Sequence, residues 1–551
     1  MPERDEETPL LNSKQDTSLL ANTQGLAHFD FFLLLCAIYS GVILAALDAT
    51  VVSTLMAHIA SDLKALDNIS WVATGYTVSY SAFQPLYGKL SDIFGRKKIM
   101  IFSTITFGVG CQICGLANGL PLLVAGRFIS GIGAGGMLST STITVSDYVP
   151  LRSRGVFQGI GNISFGTGAS MGGIFGSWAT GFGSWRYAFT LQVPLTVAAL
   201  IIMIWRVRDK KAGDNEIVTS NVHADHVVRR NSFERVDFVG SLLLVLTLLC
   251  FMFSVTMGGQ LGWSSFVIVG GFVASVVWGI LFYYWEVYKA VEPVLPIDIL
   301  MHRTVISACL TNFFCSAMTF AVLYYSPIVM TALFDYTYTT LGRLLIANFI
   351  GVALGSVGSG IYMKRTGRYY RINMSSIMFM SIALIMFYLM PTLRDSIGQS
   401  KVYQVVSYFL NGLGYSIMLT VSLIALIAAV PPESQATSTS AQYTFRGAGS
   451  SVGISLAAAV FQHSLHSSLV KNITGKHAKE IIEEVSRSVE AIRQMPEKYQ
   501  PAIIESYAHA GQNVFLLGLA ISIFSFVAAA YTEEHSLERT VSTNDDSEVE
   551  V

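Results

Sequence analysis

Long apolar segments recur along most of the chain, separated by short polar connections. Each reaches about 20 residues, the length at which an α-helix crosses the roughly 30 Å hydrocarbon core of a bilayer. The strict alternation of polar and apolar positions that a membrane β-barrel requires is missing. The pattern therefore predicts about fourteen membrane-spanning helices, at 31–57, 69–88, 99–117, 121–143, 154–179, 185–205, 237–258, 264–286, 304–332, 341–362, 372–391, 401–428, 437–462 and 511–532.

Composition supports a membrane protein and excludes several other classes. Of 551 residues, 52% are hydrophobic and 13% are charged, whereas soluble domains carry roughly 25% charged residues. The net charge of -1 argues against nucleic-acid binding. The sequence offers neither a nucleophile–base pair nor a metal-ligand cluster, and Cys111 and Cys114 lie in an apolar segment as small core residues. We expect an all-α polytopic membrane protein that is not an enzyme and needs no cofactor or metal.

Basic residues indicate which side of the membrane each loop faces. If the N-terminal tail, 1–30, is cytosolic, most lysines and arginines outside the spans fall in cytosolic loops, among them loop 206–236. By the positive-inside rule, this tail and the C-terminal tail, 533–551, both face the cytosol. The residues before Phe31 are polar and acidic, so we expect no cleavable signal peptide and a first span that itself directs insertion.

Two halves of the chain repeat each other. One constant offset aligns two pairs of glycine-rich segments, Gly131–Gly133 with Gly412–Gly414 and Gly168–Gly172 with Gly449–Gly453. The repeat predicts two six-helix bundles and a pair of inserted spans without counterparts, at 31–205, 304–532 and 237–286 respectively. Repeated six-span halves are the architecture of carriers that work by alternating access, with a binding site between the halves.

The connection between the second and third spans carries the ordered motif Gly88-Lys-Leu-Ser-Asp-Ile-Phe-Gly-Arg-Lys-Lys98. Its glycines permit a tight turn, and its charges can pair with one another and with helix ends. A loop that is merely rich in positive charge is the alternative interpretation. The order of the motif favours a conformational latch, with the candidate residues Gly88, Asp92, Gly95, Arg96, Lys97, Asp147 and Arg154.

With this loop motif the sequence resembles the major facilitator superfamily over about residues 30–532. The segment Leu47–Val52 is similar to the first-span motif of its drug:proton antiporters, and Arg127 with the glycines after it resembles a fourth-span motif of proton-coupled members. The fifth span resembles the antiporter motif through Gly168, Gly172, Gly173 and Gly176. The family has proline where this chain has Gly173, so a helix kink is missing here. The resemblance implies a major facilitator fold of the fourteen-span type.

Three charged residues lie deep within predicted spans, namely Asp48, Arg127 and Arg446. A charge at membrane depth costs several kcal/mol unless it is paired or hydrated, so each is a functional candidate. Asp48 and Arg127 fall in the half of the membrane away from the cytosol and can approach each other. Burial favours the neutral carboxyl and a nearby arginine favours the carboxylate, which makes the two a candidate proton or cation coupling site. A permanent structural ion pair is the alternative.

Polar groups within the C-terminal spans are candidates for substrate binding. Arg446 aligns with Phe165 in the repeat, so symmetry does not require it; it is a candidate for a substrate carboxylate or for the cap of a broken helix. Asp48 is a further candidate. The uncharged candidates either line a cavity or hydrogen-bond neighbouring helices. They are Asn312, Tyr324, Asn348, Asn411, Tyr415, Gln442 and Tyr443.

Loop 463–510 faces away from the cytosol in this topology. It contains a glycosylation sequon at Asn472, and Asn68 begins another sequon on the same side. Apolar positions within 477–493 fall on one helical face, which predicts an amphipathic helix. Such a helix lies on the membrane surface or caps the exit of the pore, and we expect a solvated cap.

The N-terminal tail carries Glu6 four residues before the pair Leu10-Leu11. This resembles an acidic dileucine sorting signal, which implies a sorting adaptor as partner and the vacuole membrane as destination; a disordered tail is the alternative. With the fourteen spans and the segment Trp185–Pro194, the chain resembles the fungal vacuolar basic amino acid transporters. Those relatives move lysine, histidine or arginine into the vacuole in exchange for protons. The resemblance implies that Asp48 serves the cationic substrate or its counter-proton, and that Arg446 or Arg127 serves the substrate carboxylate.

Three other functions share parts of this pattern. A plasma-membrane exporter of drugs or toxic cations in exchange for protons has nearly all of these motifs. A siderophore carrier has a similar number of spans but moves a bulky ligand in the other direction. A non-transporting nutrient sensor is disfavoured because the tails are short. Dinucleotide binding by the glycine-rich segments is excluded, because no strand or βαβ unit precedes them.

Overall fold

The computed structural model describes residues 28–63, 69–206, 235–336, 338–473, 478–487 and 489–537. The sorting signal at Glu6, Leu10 and Leu11, the Asn68 sequon and most of loop 206–236 lie outside the described residues. Within them the chain is helical and contains no β-strand, and eleven helices are long and apolar enough to cross a membrane. The predicted all-α polytopic fold is confirmed.

Six spans form the first half, and the sixth is broken at Leu191 into two helices. The helices are α1 (His28–Asp62), α2 (Ser70–Phe94), α3 (Arg96–Gly115), α4 (Leu120–Tyr148), α5 (Leu151–Thr180), α6 (Tyr187–Thr190) and α7 (Gln192–Arg206). The inserted pair and the link that follows it are α8 (Phe238–Leu261), α9 (Phe266–Tyr288) and α10 (Ile297–Leu300).

The second half again has six spans, together with a short helix before the last one. Its helices are α11 (Arg303–Phe334), α12 (Tyr338–Thr366), α13 (Tyr370–Leu389), α14 (Lys401–Ala429), α15 (Gln435–Asn472), α16 (Ala478–Arg487) and α17 (Gln500–Ala530). We call the end of the bundles that carries Gly95 the motif end, and the opposite end the distal end. Gly95 separates α2 from α3 with φ +94°, a conformation that favours glycine.

Three helices of spanning length, α2, α5 and α15, fall short of the hydropathy of the other spans. Their positions explain the difference, because α2 packs against α15 and α5 packs against α12 between the two halves. These helices also supply much of the wall of a central cavity. Their polar and glycine-rich faces therefore meet protein and the cavity, where lipid-facing apolar residues are not required.

The repeat seen in the sequence is also a repeat of packing. A Cβ at Gly168 would collide with the carbonyl oxygen of Ile43 on α1, and a Cβ at Gly449 would collide with that of Phe313 on α11. In both halves the fifth span thus packs closely on the first span at a glycine. These two glycine contacts show that Ile43 of α1 and Phe313 of α11 occupy equivalent positions.

The region between α15 and α17 differs in extent from the predicted loop. Because α15 continues to Asn472 and α17 begins at Gln500, the non-spanning segment is shorter than 463–510. Polar residues at the helix ends continue the helices beyond the apolar segments from which the boundaries were predicted. The amphipathic helix is present as α16, followed by the 3₁₀ helix Val489–Gln494. The apolar faces of both helices pack on the second half itself, through Ile481, Ile482 and Val485 of α16 and Ile492 of the 3₁₀ helix.

Candidate functional site: a central cavity and a sealed ion pair

A cavity of about 410 Å³ lies between the two halves. Aromatic side chains from both halves line it, together with aliphatic residues and a few hydroxyl and amide groups. The aromatic wall residues are Tyr39, Tyr80, Phe157, Phe165, Phe320, Tyr324, Phe349, Tyr415 and Tyr443. A cavity that is mainly apolar with a few convergent polar groups is the usual form of a small-molecule site.

Arg446 is the only charged residue on the described wall of this cavity. It is half-buried, and its guanidinium carbon lies 4.4 Å from the centroid of the Tyr443 ring. No carboxylate lies within ion-pair distance of Arg446 among the residues that the structure describes. An arginine presents a planar set of donors that matches a carboxylate. A guanidinium in this position has the geometry to bind an anionic group.

The other substrate-binding candidates divide into three groups. Tyr324, Asn348, Tyr415 and Tyr443 line the cavity with Arg446. Asn312 and Gln442 border a smaller void next to Arg446, and both donate a hydrogen bond to Ser422 Oγ, at 2.6 and 3.0 Å. Asn411 lies outside the wall and donates to Asn348 Oδ1 at 3.2 Å, so it positions a residue of the wall.

Direct contacts between the halves close the cavity toward the motif end. A Cβ at Gly88 would lie 2.6 Å from the carbonyl oxygen of Ala436, and one at Gly155 would lie 3.0 Å from the Gly360 Cα. Asn162 donates to Ser356 Oγ at 3.0 Å across the α5–α12 contact. The two halves are thus packed backbone against backbone on this side of the cavity.

Asp48 and Arg127 form an ion pair inside the first half. Arg127 Nη1 donates to Asp48 Oδ2 at 2.6 Å, and Gln192 Nε2 donates to Asp48 Oδ1 at 3.3 Å. The guanidinium also lies 4.1 Å from the centroid of the Tyr76 ring. Both charged side chains are buried, with exposures of 0% for Asp48 and 1% for Arg127. The predicted approach of these two residues is therefore observed.

The ion pair and the cavity are separate sites in this conformation. Neither Asp48 nor Arg127 lines the cavity, although Thr50, two positions after Asp48, does. Asp48, a candidate for substrate binding from the sequence, therefore does not share the cavity with Arg446 and is turned toward Arg127 instead. Arg446 and aromatic side chains line the cavity, while Asp48 lies outside its wall.

The latch candidates lie together at the motif end. Arg96 donates to Asp147 Oδ2 at 2.8 Å and to Asp92 Oδ1 at 2.5 Å, which joins the motif loop to the end of α4. Lys97 donates to the Ile204 carbonyl at 2.7 Å. Arg154 reaches the second half, where it donates to Gln435 Oε1 at 3.0 Å.

Two of the four antiporter-motif glycines make close contacts with α1. Gly168 lies against Ile43, and Gly172 lies against Thr50 and Leu47. Gly176 is buried on the same helix, whereas Gly173 is half-buried. Asn472, the glycosylation candidate, is exposed at the end of α15.

Several wall residues were missed by the sequence analysis. Gln158 and Asn162 lie one helical turn apart on α5 and line the cavity, and Tyr39 and Tyr80 line it from α1 and α2. The polar pair in an apolar span was a usable signal of the same kind as the asparagines that were singled out. The tyrosines gave no such signal, because tyrosine is common throughout the apolar segments.

Comparisons with known proteins agree with this architecture. The family model described as Major Facilitator Superfamily matches residues 38–454. A solved structure, the human organic anion transporter MFSD10 (TETRAN), has a TM-score of 0.54 at 13% identity, over 89% of this chain and 99% of that one. At 13% identity, this similarity shows a shared fold and nothing about the substrate.

Curated relatives cover nearly the whole chain. "Multidrug resistance protein fnx1" of Schizosaccharomyces pombe is 35% identical over 92% of this chain and 93% of its own. "Vacuolar membrane amino acid uptake transporter fnx2" of the same yeast is 32% identical, over 94% and 87%. "Vacuolar basic amino acid transporter 1" of Saccharomyces cerevisiae is 27% identical, over 93% and 94%.

Proposed function

The chain belongs to the major facilitator superfamily, and we propose that it moves basic amino acids from the cytosol into the vacuole in exchange for protons. The observation that carries this proposal is Arg446, which lies on the wall of the central cavity and has no ion-pair partner among the described residues. Every amino acid has an α-carboxylate, which a guanidinium binds with two parallel hydrogen bonds. The names of the relatives fnx2 and Vacuolar basic amino acid transporter 1 supply the substrate class and the membrane.

The cationic side chain of such a substrate would lie against the aromatic wall. The cavity offers tyrosine faces and no carboxylate among its described lining residues. A cation over an aromatic ring gains about 0.5–2 kcal/mol, more when water is excluded. The α-carboxylate on Arg446 and the ammonium or guanidinium on the rings would thus use both chemical features of the site.

The buried Asp48–Arg127 pair is our candidate for proton coupling. Burial disfavours the charged forms, and an ion pair at membrane depth often gives little stability over apolar packing. When the halves rearrange, a loosened Arg127 contact would let Asp48 take up a proton from the acidic side. The direction of exchange follows from cytosolic termini, which the distribution of Lys and Arg favours. The motif end then faces the cytosol and the distal end faces the lumen.

Uptake into acidified vacuolar vesicles tests the proposal. Labelled lysine, arginine and histidine are offered to vesicles with and without the protein, and the proton gradient is then dissipated. We expect protein-dependent uptake that collapses with the gradient. Absence of uptake, with the protein confirmed in the vesicles, would reject these substrates.

A multidrug or toxic-cation exporter is the second candidate function. The aromatic and aliphatic residues on the wall of the cavity favour it, as does the likeness to Multidrug resistance protein fnx1. Growth of cells that lack or overproduce the protein in the presence of apolar cations separates the two. Resistance that survives Arg446→Gln would favour the exporter, because such cations have no carboxylate for Arg446 to bind.

A further inference from the structure

The inserted hairpin, α8 and α9, touches both halves. Helix α8 packs against α2 of the first half and against α15 of the second, and α9 packs on α8. The hairpin therefore covers the contact between α2 and α15, one of the two seams along which the halves meet. Because alternating access moves the halves relative to each other, α8 has to remain with one half and slide along the other.

At the distal end, the polar contacts of α8 are made with α2. Ser70 Oγ donates to Gln260 Oε1 at 2.5 Å, and Thr74 Oγ1 lies 3.5 Å from Met257 Sδ. The Trp71 and Phe253 rings lie 5.4 Å apart. The start of α2 is thus joined to the end of α8 by two polar contacts and an aromatic pair.

At the motif end, a second set of contacts joins the hairpin to the other end of α2. Glu292, in the segment after α9, lies 3.4 Å from Lys89 Nζ and accepts a hydrogen bond from Arg235 at 3.0 Å. Although partial burial opposes it, the hydrogen bond and charge of Arg235 and the charge of Lys89 lower the pKa of the Glu292 carboxyl. Glu292 therefore stays ionised across the physiological range and bridges both cations.

Two carboxylates, the buried Glu286 and the half-buried Asp237, hold this segment and the hairpin together. Glu286 near the end of α9 is 5% exposed, and its Oε1 accepts a hydrogen bond from the Leu295 backbone N–H at 2.6 Å. Asp237 caps α8 by accepting from the Gly240 N–H at 2.8 Å, and it also accepts from Trp285 Nε1 at 3.0 Å. The two helices of the hairpin and the segment that carries Glu292 form one connected unit at the motif end.

The contact with α15 is of a different kind. In the described part of the chain, the hydrogen bonds and ion pairs of α8 and α9 stay within the hairpin and its flanking segments or go to α2, and none reaches α15. A contact without directional bonds loses little when one helix shifts along another. By contrast, moving α8 along α2 would break polar contacts at both ends.

We propose that the inserted hairpin is a fixed extension of the first half, held there by Glu292 as a positioning residue, and that α15 slides across α8 during transport. The hairpin then keeps lipid out of the α2–α15 seam in both conformations. This assigns a role to the two spans that have no counterpart in the repeat. It depends on the alternating movement of the halves and is independent of the substrate.

Distances between spin labels test the proposal on the full-length protein. Ser264, Leu116 and Ile397 are exposed at the distal end of the hairpin, the first half and the second half respectively. Cysteines for spin labelling are introduced at two of these three positions at a time, in a protein that also carries Cys36→Ser and Cys250→Ser. Pulsed electron paramagnetic resonance is measured under the two pH conditions between which the Leu116–Ile397 distance changes, so that movement of the halves is established first.

We expect the Ser264–Leu116 distance to stay constant while the Ser264–Ile397 distance changes with the control pair. A constant Ser264–Ile397 distance, or a change in both, would overturn the proposal. Glu292→Gln is expected to broaden the distribution of Ser264–Leu116 distances. Adding Lys89→Met to Glu292→Gln is expected to broaden it little further, because Lys89 and Glu292 form one ion pair with each other. Glu433→Gln, at an exposed glutamate near the same end, is the matched control and is expected to change nothing. An unchanged distribution in Glu292→Gln would remove the positioning role from Glu292.

Discussion

The two halves share a packing scheme and differ in chemistry at equivalent positions. The glycine contacts that pair Ile43 with Phe313 also pair Leu47 with Ala317, so Asp48 corresponds to Met318. The sequence repeat pairs Arg127 with Tyr408. The first half thus has a buried ion pair where the second half has Met318 and Tyr408, both buried in one apolar cluster.

The comparison shows that the fold does not require an ion pair at this place. Met318 and Tyr408 fill the equivalent space, and the Tyr408 hydroxyl bonds to Ser326 at 2.7 Å. On the wall of the cavity it is the second half that carries the charge, since its Arg446 corresponds to the uncharged Phe165 of the first half. Each half therefore carries charged groups that its counterpart lacks. In the proposed function, coupling belongs to the first half and carboxylate binding to the second.

The largest effect is expected when the chemistry of the first half is replaced by that of the second. The double variant Asp48→Met with Arg127→Tyr removes both charges together, which leaves no uncompensated charge in the core. We expect it to fold, to reach the membrane and to show no proton-driven uptake. Size-exclusion profiles in detergent and vesicle uptake are measured together.

The single variant Arg127→Leu provides the control for this double variant. It leaves Asp48 without its partner, and breaking a buried pair in this way costs about 3–5 kcal/mol. We expect the single variant to be less stable than the double one. Wild-type uptake in the double variant would show that the pair is structural.

A smaller but still large effect is expected at Arg446. A hydrogen bond to a charged group is worth about 1.5–3 kcal/mol, so Arg446→Gln is expected to weaken substrate binding roughly 10- to 100-fold. Arg446→Lys keeps the charge and loses the planar pair of donors, and its loss should be smaller. Competition by unlabelled lysine and by lysine amide measures this, because the amide lacks the carboxylate. Equal binding of lysine and lysine amide by the wild-type protein would contradict the role of Arg446 in binding the substrate carboxylate.

An intermediate effect on stability is expected at the glycines that define the comparison. Gly168→Ala places a Cβ against the Ile43 carbonyl, and Gly449→Ala does the same at Phe313. Overpacking of this kind costs about 1–3 kcal/mol, and we expect similar drops in melting temperature from both. Gly358→Ala on α12 is the matched control, because nothing lies within 4 Å of its added Cβ. Unequal losses at Gly168 and Gly449 would weaken the equivalence of the halves.

The smallest effect is expected at the distal ends of α1 and α11, where both halves carry an aspartate–arginine pair that is at least partly exposed. Asp62 pairs with Arg186 at 2.8 Å, and Asp335 pairs with Arg493. Hydrogen bonds from Trp185 and Arg186 lower the pKa of Asp62. An acid with a lowered pKa stabilises the fold above its unfolded pKa, and the contribution is lost as pH falls through the folded value.

We therefore expect Asp62→Asn to lower the melting temperature slightly at neutral pH and the difference from wild type to shrink on acidification. Thermal unfolding across this pH range, with Glu433→Gln as the control at an exposed acid, measures it. A difference that grows toward acidic pH would contradict the sign of this effect.

Helices and their repeat were accessible from the sequence because both depend on local pattern. Span length follows from apolar segments, and the glycine repeat needs only counting. The approach of Asp48 to Arg127 was also predictable, since two opposite charges at one membrane depth have few other partners.

Which side chains face the cavity and which face a neighbouring helix could not be predicted. These positions depend on the rotation of each helix about its axis, which apolar segments do not specify. Asp48 was expected to face the cavity, whereas α1 turns it toward Arg127 and leaves Thr50 on the wall. Glu286 and Glu292 lie where a span meets its loop, a position at which the sequence indicates solvated charges. In the structure they contact Leu295 and Lys89 respectively. Long-range packing decides such positions.

Gradient-driven accumulation and gradient-free exchange of labelled lysine, measured side by side in vesicles with Asp48→Asn or Arg446→Gln, test the division of roles most directly. The account predicts that Asp48→Asn loses accumulation and keeps exchange, because Arg446 still binds the substrate, while Arg446→Gln loses most of both at low lysine concentration. Wild-type accumulation in Asp48→Asn, or exchange at the wild-type rate in Arg446→Gln, would contradict it.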